Sequence, residues 1–372
     1  MKRTHLRSLA APTVATVALG LVLTGCAAGN ESSSSDASNA SDGGSSLSGT
    51  LNGAGSSAQE AAQGAWTAAF QSANSGATVN YDPVGSGGGR EQFLAGGVEF
   101  AGSDSYLDDE ELASSKETCD GAEAFDVPAY VSPIAVVYNL DGVTDLQLSG
   151  EALAGIFANK ITTWNDPKIA ADNPDADLPS TKITPVHRSD DSGTQDNFTQ
   201  YLSAVAPDVW TDEPDGVWPL KSGEGANGTS GVIESVSNGA GSIGFADESQ
   251  AGKLGVAKVK VGSAYVAPSA DTAAKTVDVS PRVKDRPEGD IAIDVDRETT
   301  ESGAYPIVLV SYVIACPSYS DSKDAGLVKA YLSYVVSPEG QAAAAKTAGS
   351  APLSSTLSGE AKTQVESIKT GS

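Results

Sequence analysis

Three short runs of small residues stand where they could cradle an anion. They are Gly53-Ala54-Gly55-Ser56-Ser57, Gly85-Ser86-Gly87-Gly88-Gly89 and Asp190-Asp191-Ser192-Gly193-Thr194, each just ahead of a stretch with helical spacing. The first N–H groups of a helix have no intrahelical partner, and the aligned peptide dipoles put partial positive charge there. Small side chains let a ligand approach those groups, so each run is an anion-binding candidate. Taken singly, such a run is an ordinary cap or turn. Arg188 adds a cation at the end of a strand-like segment, four residues before Ser192. Its guanidinium can clamp two oxygens of a tetrahedral oxyanion, the plain alternative being a surface ion pair with Asp190 or Asp191. No run matches G-x-x-x-x-G-K-[ST], and no G-x-G-x-x-G sits between strand and helix, so the pattern points away from nucleotides and toward a small, enclosed anion.

The elements that must position these runs alternate between strand and helix from about residue 47 onward, which gives an α/β class. Strands are expected over 47–51, 77–81, 98–101, 183–188 and 241–245, and short helices over 90–94, 151–157 and 231–237. Ala58, Ala62, Trp66 and Phe70 recur at helical spacing, and Phe198, Tyr201, Leu202 and Val205 give one apolar face to a helix over 195–205. Ser337-Pro338 reads as an N-cap followed by proline at the first helical position. Two long β-rich runs, 127–139 (VPAYVSPIAVVYN) and 305–315 (YPIVLVSYVIA), read as crossings between two lobes with a cleft between them. The expected division is lobe 1 over 47–130, lobe 2 over 131–304, and a return to lobe 1 over 305–372.

Charge and composition narrow the function. With 23 Lys+Arg against 48 Asp+Glu the formal charge is −25, which argues against a nucleic-acid binder. Histidine occurs only at His5 and His187, and there are three cysteines, so multi-His or multi-Cys metal sites and most histidine-dependent triads have too few members. Residues 1–25 carry Lys2, Arg3 and Arg7, then an apolar stretch over 9–23 and no acid, as in a secretory signal. The stretch ends in Leu23-Thr24-Gly25-Cys26, which resembles the bacterial lipobox, where this cysteine is lipidated and becomes the new N-terminus. Residues 26–46, Ser-rich and without a large apolar side chain, read as a flexible tether. Cleavage before Cys26 removes three cations and no anions, taking the formal charge from −25 to −28. Cys119 and Cys316 then remain, and in an exported protein such a pair favours a disulfide.

In order along the chain stand GAGSS at 53–57, YDPVGSGGGREQ at 81–92, FAGSDSYL at 100–107, ITTWND at 161–166, HRSDDSGT at 187–194 and SAPLS at 350–354. This ordered set resembles the phosphate-binding lipoprotein component of Pst-type high-affinity phosphate ABC transporters, over nearly everything from residue 48 onward. The resemblance implies a periplasmic-binding-protein-like fold: two α/β lobes with crossing hinge strands and a cleft that closes over one phosphate. It also implies that Ser57 and the backbone at Ala58, with Ser86, Asp104, Arg188, Ser192, Gly193 and Thr194, hold phosphate, while Asp190 holds the arginine. Where relatives commonly carry Thr and an aromatic, Ser57 and Ala58 stand here, so Ser56 and Ser57 both offer the first hydroxyl. The family further implies a non-enzymatic monomer without cofactor or metal, anchored by lipid to the outer face of the bacterial cell membrane. Its partners would be phosphate and the permease and ATPase subunits of the transporter.

Asp104 has a chemical reason to stand in such a site. Phosphate near neutral pH keeps at least one proton, whereas sulfate keeps none, so an ionised carboxylate accepts a hydrogen bond from P–OH but repels sulfate. The other classes weighed are a receptor for sulfate or molybdate, an exported phosphatase, and a cell-wall protein. Asp104 argues against the first. A phosphatase needs an activated nucleophile or metals, which a chain with His187 as its one mature histidine does not display.

Overall fold

The computed structural model describes residues 47–370; the signal, Cys26 and the tether expected before them lie outside the described residues. In chain order the first elements are β1 (Ser48–Gly55), α1 (Glu60–Ala73), β2 (Gly76–Asp82), α2 (Ser86–Leu94), β3 (Phe100–Ser103), α3 (Asp109–Ser115) and β4 (Phe125–Tyr138). After them come β5 (Gln147–Leu148), α4 (Gly150–Phe157), α5 (Pro167–Asp172), β6 (Thr184–Arg188), α6 (Gly193–Val205), β7 (Glu224–Ala226), α7 (Gly228–Asn238) and β8 (Ser242–Asp247). The chain later comes back through the strand Val308–Ala315, called the return strand below.

These strands form one mixed sheet in the order β2-β1-β3-return-β4-β8-β6-β7. β1 pairs in parallel with β2 and β3, and β6 pairs in parallel with β7 and β8. Between these two groups β4 and the return strand run antiparallel to their neighbours. β4 belongs to both groups: Phe125 to Pro133 pairs with the return strand, and Ile134 to Tyr138 pairs with β8. Proline has no N–H for a ladder, and Pro133 sits where β4 changes partners. All fourteen residues of β4 are buried, which is why its sequence reads as a continuous apolar run rather than an alternating one. A second sheet of three short strands pairs Lys258–Val261 with Ala264–Val266 and with β5.

Helix faces seal the sheet as the spacing requires. Ala62, Trp66 and Phe70 of α1 are buried, and the Trp66 indole donates to the Gly340 carbonyl at 2.7 Å. Phe198, Tyr201 and Leu202 of α6 are buried, and Phe198 stacks on Phe245 of β8 with centroids 4.2 Å apart. Ser337 caps the helix Pro338–Ala348 by accepting from the Gly340 N–H, with Pro338 in its first turn. Cys119 and Cys316 form a disulfide, with Cα atoms 5.1 Å apart, that ties the segment before β4 to the end of the return strand. A native disulfide typically stabilises a fold by about 2–4 kcal/mol.

Local element bounds depart from the sequence reading: β1 runs on to Gly55 rather than ending at 51, and α7 begins at Gly228 rather than 231. α2 begins at Ser86, inside the glycine run, rather than near residue 90. Glycine is a poor helix former, and packing decides the matter: a Cβ on Gly89 would lie 2.4 Å from the Gly55 Cα, so only glycine lets α2 lie this close to β1. The return strand begins at Val308, and its register shifts between Ser311 and Tyr312.

Candidate phosphate site

All three small-residue runs meet at the middle of the mixed sheet. β1 delivers the first, and α2 and α6 open with the second and third. Gly193 shows how tightly they meet: a Cβ there would lie 2.7 Å from the Ser86 hydroxyl and 2.8 Å from the Asp104 Cβ. Ser192 caps α6 by accepting from the Gln195 N–H at 3.2 Å. Ser57, Ala58, Ser86, Asp104, Arg188, Ser192 and Thr194 are each no more than 4 % exposed.

Asp104 follows β3 and is held on every side. Its backbone N–H donates to the Ser86 hydroxyl at 3.0 Å, and its Oδ2 accepts from the Thr194 hydroxyl at 2.8 Å. Its Oδ1 accepts from the Ser311 hydroxyl, which in turn accepts from Gln59 Nε2 at 2.7 Å. With the Gln59 amide already donating to it, Ser311 is left to give its own hydrogen to Asp104. A carboxylate has about four acceptor sites, so two hydroxyl donors leave capacity for a P–OH. Ser311 and Gln59 escape a reading of motifs: Ser311 lies within an apolar strand, where only the register shift beside it marks its side chain as unusual.

Arg188 ends β6. Its Nε donates to Asp190 Oδ1 at 2.8 Å and its Nη2 to Asp190 Oδ2, and its backbone N–H donates to Gln195 Oε1 at 2.9 Å. The Arg188–Asp190 pair is therefore a buried clamp rather than a surface ion pair, with the arginine side chain 2 % exposed. Asp190 Oδ1 also accepts from the Gly228 N–H at 3.0 Å. Burial pushes the Asp190 carboxyl up, but the hydrogen bonds and charge of Arg188, with the Gly228 N–H, outweigh it and leave Asp190 below its ordinary value. Among the described residues nothing pairs with Arg188 Nη1, so an end of the guanidinium remains for an oxyanion.

The first run uses its two serines differently. The Ser56 hydroxyl turns back to accept from the Ala58 N–H at 3.1 Å. The Ser57 hydroxyl reaches α7, accepting from the Thr229 N–H at 3.1 Å and lying 2.9 Å from the Thr229 hydroxyl. α7 thus brings a further helix start to the same place, through Thr229 and Gly228. The sequence does carry a signal for it, the small-residue run Asn227-Gly228-Thr229-Ser230-Gly231.

A cavity of about 390 Å³ lies alongside, lined by Asp104 and Gly193, by Asp191, Asp196, Asp215 and Asp294, and by Arg90 and Arg297 among others. Burial raises the Asp191 carboxyl above its ordinary value. Next to Arg188, His187 stacks on Trp218 with centroids 4.7 Å apart and planes 8° from parallel. Burial lowers its imidazole below the ordinary value, against the pull of the Arg188 carbonyl. Trp66, Trp164 and Trp210 are fully buried in the core, whereas Trp218 is only partly covered.

A mixed sheet with two parallel groups bridged by antiparallel crossings, and helix starts from both groups converging on one buried polar cradle, defines a solute receptor of the periplasmic-binding-protein type. Residues 40–339 match the PBP superfamily domain. Phosphate-binding protein PstS3 of Mycobacterium bovis is 38% identical over 263 residues, which cover 69% of this chain and 70% of that protein. Phosphate-binding protein PstS 2 of Mycobacterium tuberculosis is 36% identical over 330 residues, covering 86% and 88%. The chain belongs to this PstS family of phosphate-binding proteins. Among solved structures, the high affinity periplasmic phosphate-binding protein PfluDING, bound with phosphate, superposes with a TM-score of 0.70 at 21% identity, covering 85% of this chain and 93% of that one. A putative phosphate ABC transporter substrate-binding protein from Clostridium perfringens gives 0.59 at 16% identity, covering 81% and 98%. At such identities the likeness concerns the fold.

Proposed function

We propose that this protein captures inorganic phosphate outside the cytoplasm and delivers it to the permease of an ABC transporter, without catalysing a reaction and without cofactor or metal. The observation that carries this reading is the pairing of opposite tools in one buried cradle. Arg188 and the helix starts supply charge and donors for an oxyanion, and Asp104, held by Thr194 and Ser311, supplies the acceptor that a protonated phosphate needs. The proposed ligands are Ser57, Ser86, Asp104, Arg188, Ser192 and Thr194 with the backbone at Ala58 and Gly193, and Asp190 keeps the arginine in position. Lobe 1 would comprise 47–130 and 305–372 and lobe 2 131–304; the change of partner along β4 at Pro133 supports a boundary there. The lipidated Cys26, the tether 26–46, the monomeric state and the docking to permease and ATPase subunits belong to the same proposal and rest on the sequence.

The experiment is phosphate uptake at low external phosphate by cells lacking the gene, complemented with the parent chain or with Arg188→Lys. The parent should restore uptake and the variant should not, because lysine keeps a charge but loses the fork. Equal restoration by both would overturn the reading. Metal-dependent hydrolysis of a chromogenic phosphate ester by the purified protein would instead favour a phosphatase.

A further inference from the structure

Behind the phosphate loops lies a buried amide whose three polar bonds are all made. Asn197, in the second turn of α6 and 4 % exposed, donates from Nδ2 to the Asp104 carbonyl and to the Gly193 carbonyl, both at 2.8 Å. Asp104 follows β3 and Gly193 opens α6, so the one NH₂ group ties together a loop from each parallel group of the sheet. Its Oδ1 accepts from Arg297 Nη2. A guanidinium only donates, so Arg297 fixes which end of the amide faces it, and therefore which end faces the loops. Arg297 is itself 7 % exposed and anchored by the carbonyl of Pro306, just ahead of the return strand, at 3.2 Å and by that of Val308, its first residue, at 2.7 Å. Its hydrogen-bond acceptors are neutral oxygens throughout, including Gln200 Oε1 at 3.4 Å, and its Nε has no partner among the described residues. A cation buried without a hydrogen-bonded carboxylate is costly, which argues for a role beyond packing.

We propose that Asn197, oriented by Arg297, is a positioning residue that latches the Asp104 loop to the start of α6 when the cleft is closed, and so sets how slowly phosphate leaves. This rests on the phosphate reading above. The bond to the Asp104 carbonyl crosses between the two phosphate loops, so it is made only when they are together. It therefore acts on release and hardly on encounter, which involves the open form. Losing the NH₂ group leaves the buried Asp104 carbonyl without its donor in the closed form, an imbalance that corresponds to about tenfold in an equilibrium or rate constant.

The test is stopped-flow tryptophan fluorescence with inorganic phosphate on the whole mature chain, for the parent, Asn197→Ala, Arg297→Lys and the double variant. Asn197→Ala should release phosphate about tenfold faster while associating within about twofold of the parent; the phosphate-free protein should melt somewhat lower, because Arg297 loses the Asn197 acceptor whether the cleft is open or closed. Arg297→Lys, which keeps a cationic donor, should fall between parent and Asn197→Ala, and the double variant should match Asn197→Ala because the two act through one contact. A release rate within about twofold of the parent for Asn197→Ala overturns the latch. So does an association slowed as much as release is quickened, which would mark a purely structural residue. If either Arg297 variant fails to fold, Asn197→Ala alone decides. A parent chain that does not bind phosphate overturns the functional reading, and the latch with it.

Discussion

Thr194 donates its hydroxyl hydrogen to Asp104 Oδ2 across 2.8 Å, joining residues that stand 90 positions apart in the chain. One comes from the first turn of α6 and the other from the end of β3, so the bond brings a helix start and a carboxylate into the same buried space. Because the hydroxyl is the donor, the carboxylate is held as an acceptor, and it faces the ligand position as one.

Asp104→Asn therefore removes an acceptor and adds a donor where phosphate presents its proton. Phosphate affinity should fall by about tenfold to a hundredfold, the cost of a buried polar group left unpaired, while sulfate binding should strengthen. Calorimetric titration with both anions checks this. An unchanged phosphate-to-sulfate ratio would remove the selectivity role from Asp104.

Asp190→Asn tests the clamp beneath Arg188. The amide still accepts at one oxygen but cannot take both guanidinium bonds, so the arginine loses its fixed orientation together with its buried countercharge. Phosphate affinity should drop by about tenfold or more, and melting of the phosphate-free protein should fall as well, since a buried cation loses its partner. Wild-type affinity in this variant would show that Arg188 needs no such support.

How far the sequence reaches follows from the same contacts. Arg188, Ser192, Gly193 and Thr194 are legible because a strand end, a cap and a helix start are local chemistry, written within seven consecutive residues from 188 to 194. Asp104 is legible through its motif, though not through its surroundings. Ser311 and Asn197 are not, because their part depends on partners 207 and 93 positions away, and the small-residue run around Thr229 does not by itself point to Ser57, 172 positions off. Arg297 sits in a stretch with no regular strand or helix, where periodicity says nothing. The start of α2 is misread for the opposite reason: local propensity argues against helix at Gly87-Gly88-Gly89, and only the approach of Gly55 explains it.

Net charge bears on capture. The cavity beside the cradle is lined by Asp191, Asp196, Asp215 and Asp294 as well as by Arg90 and Arg297, in a chain whose formal charge is −25. At physiological ionic strength such fields are screened beyond about 8 Å, so added salt should leave the association rate unchanged or raise it slightly. Stopped-flow fluorescence, with Trp218 as the partly exposed indole beside the site, measures it. A marked slowing with salt would mean that attraction, not local contact, governs capture.

Asp247 gives a pH signature to the fold. The carboxyl is 0% exposed on β8, and burial pushes it up to about 6 from an ordinary 3.8, against hydrogen bonds from Ser249 and from Tyr130 at 2.8 Å. A raised carboxyl binds its proton more tightly when folded, so its contribution is fully present below the ordinary value and is lost as pH rises through about 6. Asp247→Asn, which cannot ionise, should gain on the parent between roughly pH 4 and 6 by on the order of 2–3 kcal/mol, and hold that gain above. Urea unfolding across this range decides it, and a difference independent of pH would show that Asp247 does not titrate as its burial requires.

The central claim is that one buried cradle holds one protonated oxyanion. The most direct measurement is calorimetric titration of the purified protein with phosphate at pH 7, followed by sulfate under the same conditions. The expected result is a single saturable phosphate site per chain and sulfate weaker by at least about a hundredfold, the sum of a lost acceptor bond and charge repulsion inside the cleft. Absence of stoichiometric phosphate binding, or sulfate binding as tightly as phosphate, would contradict it.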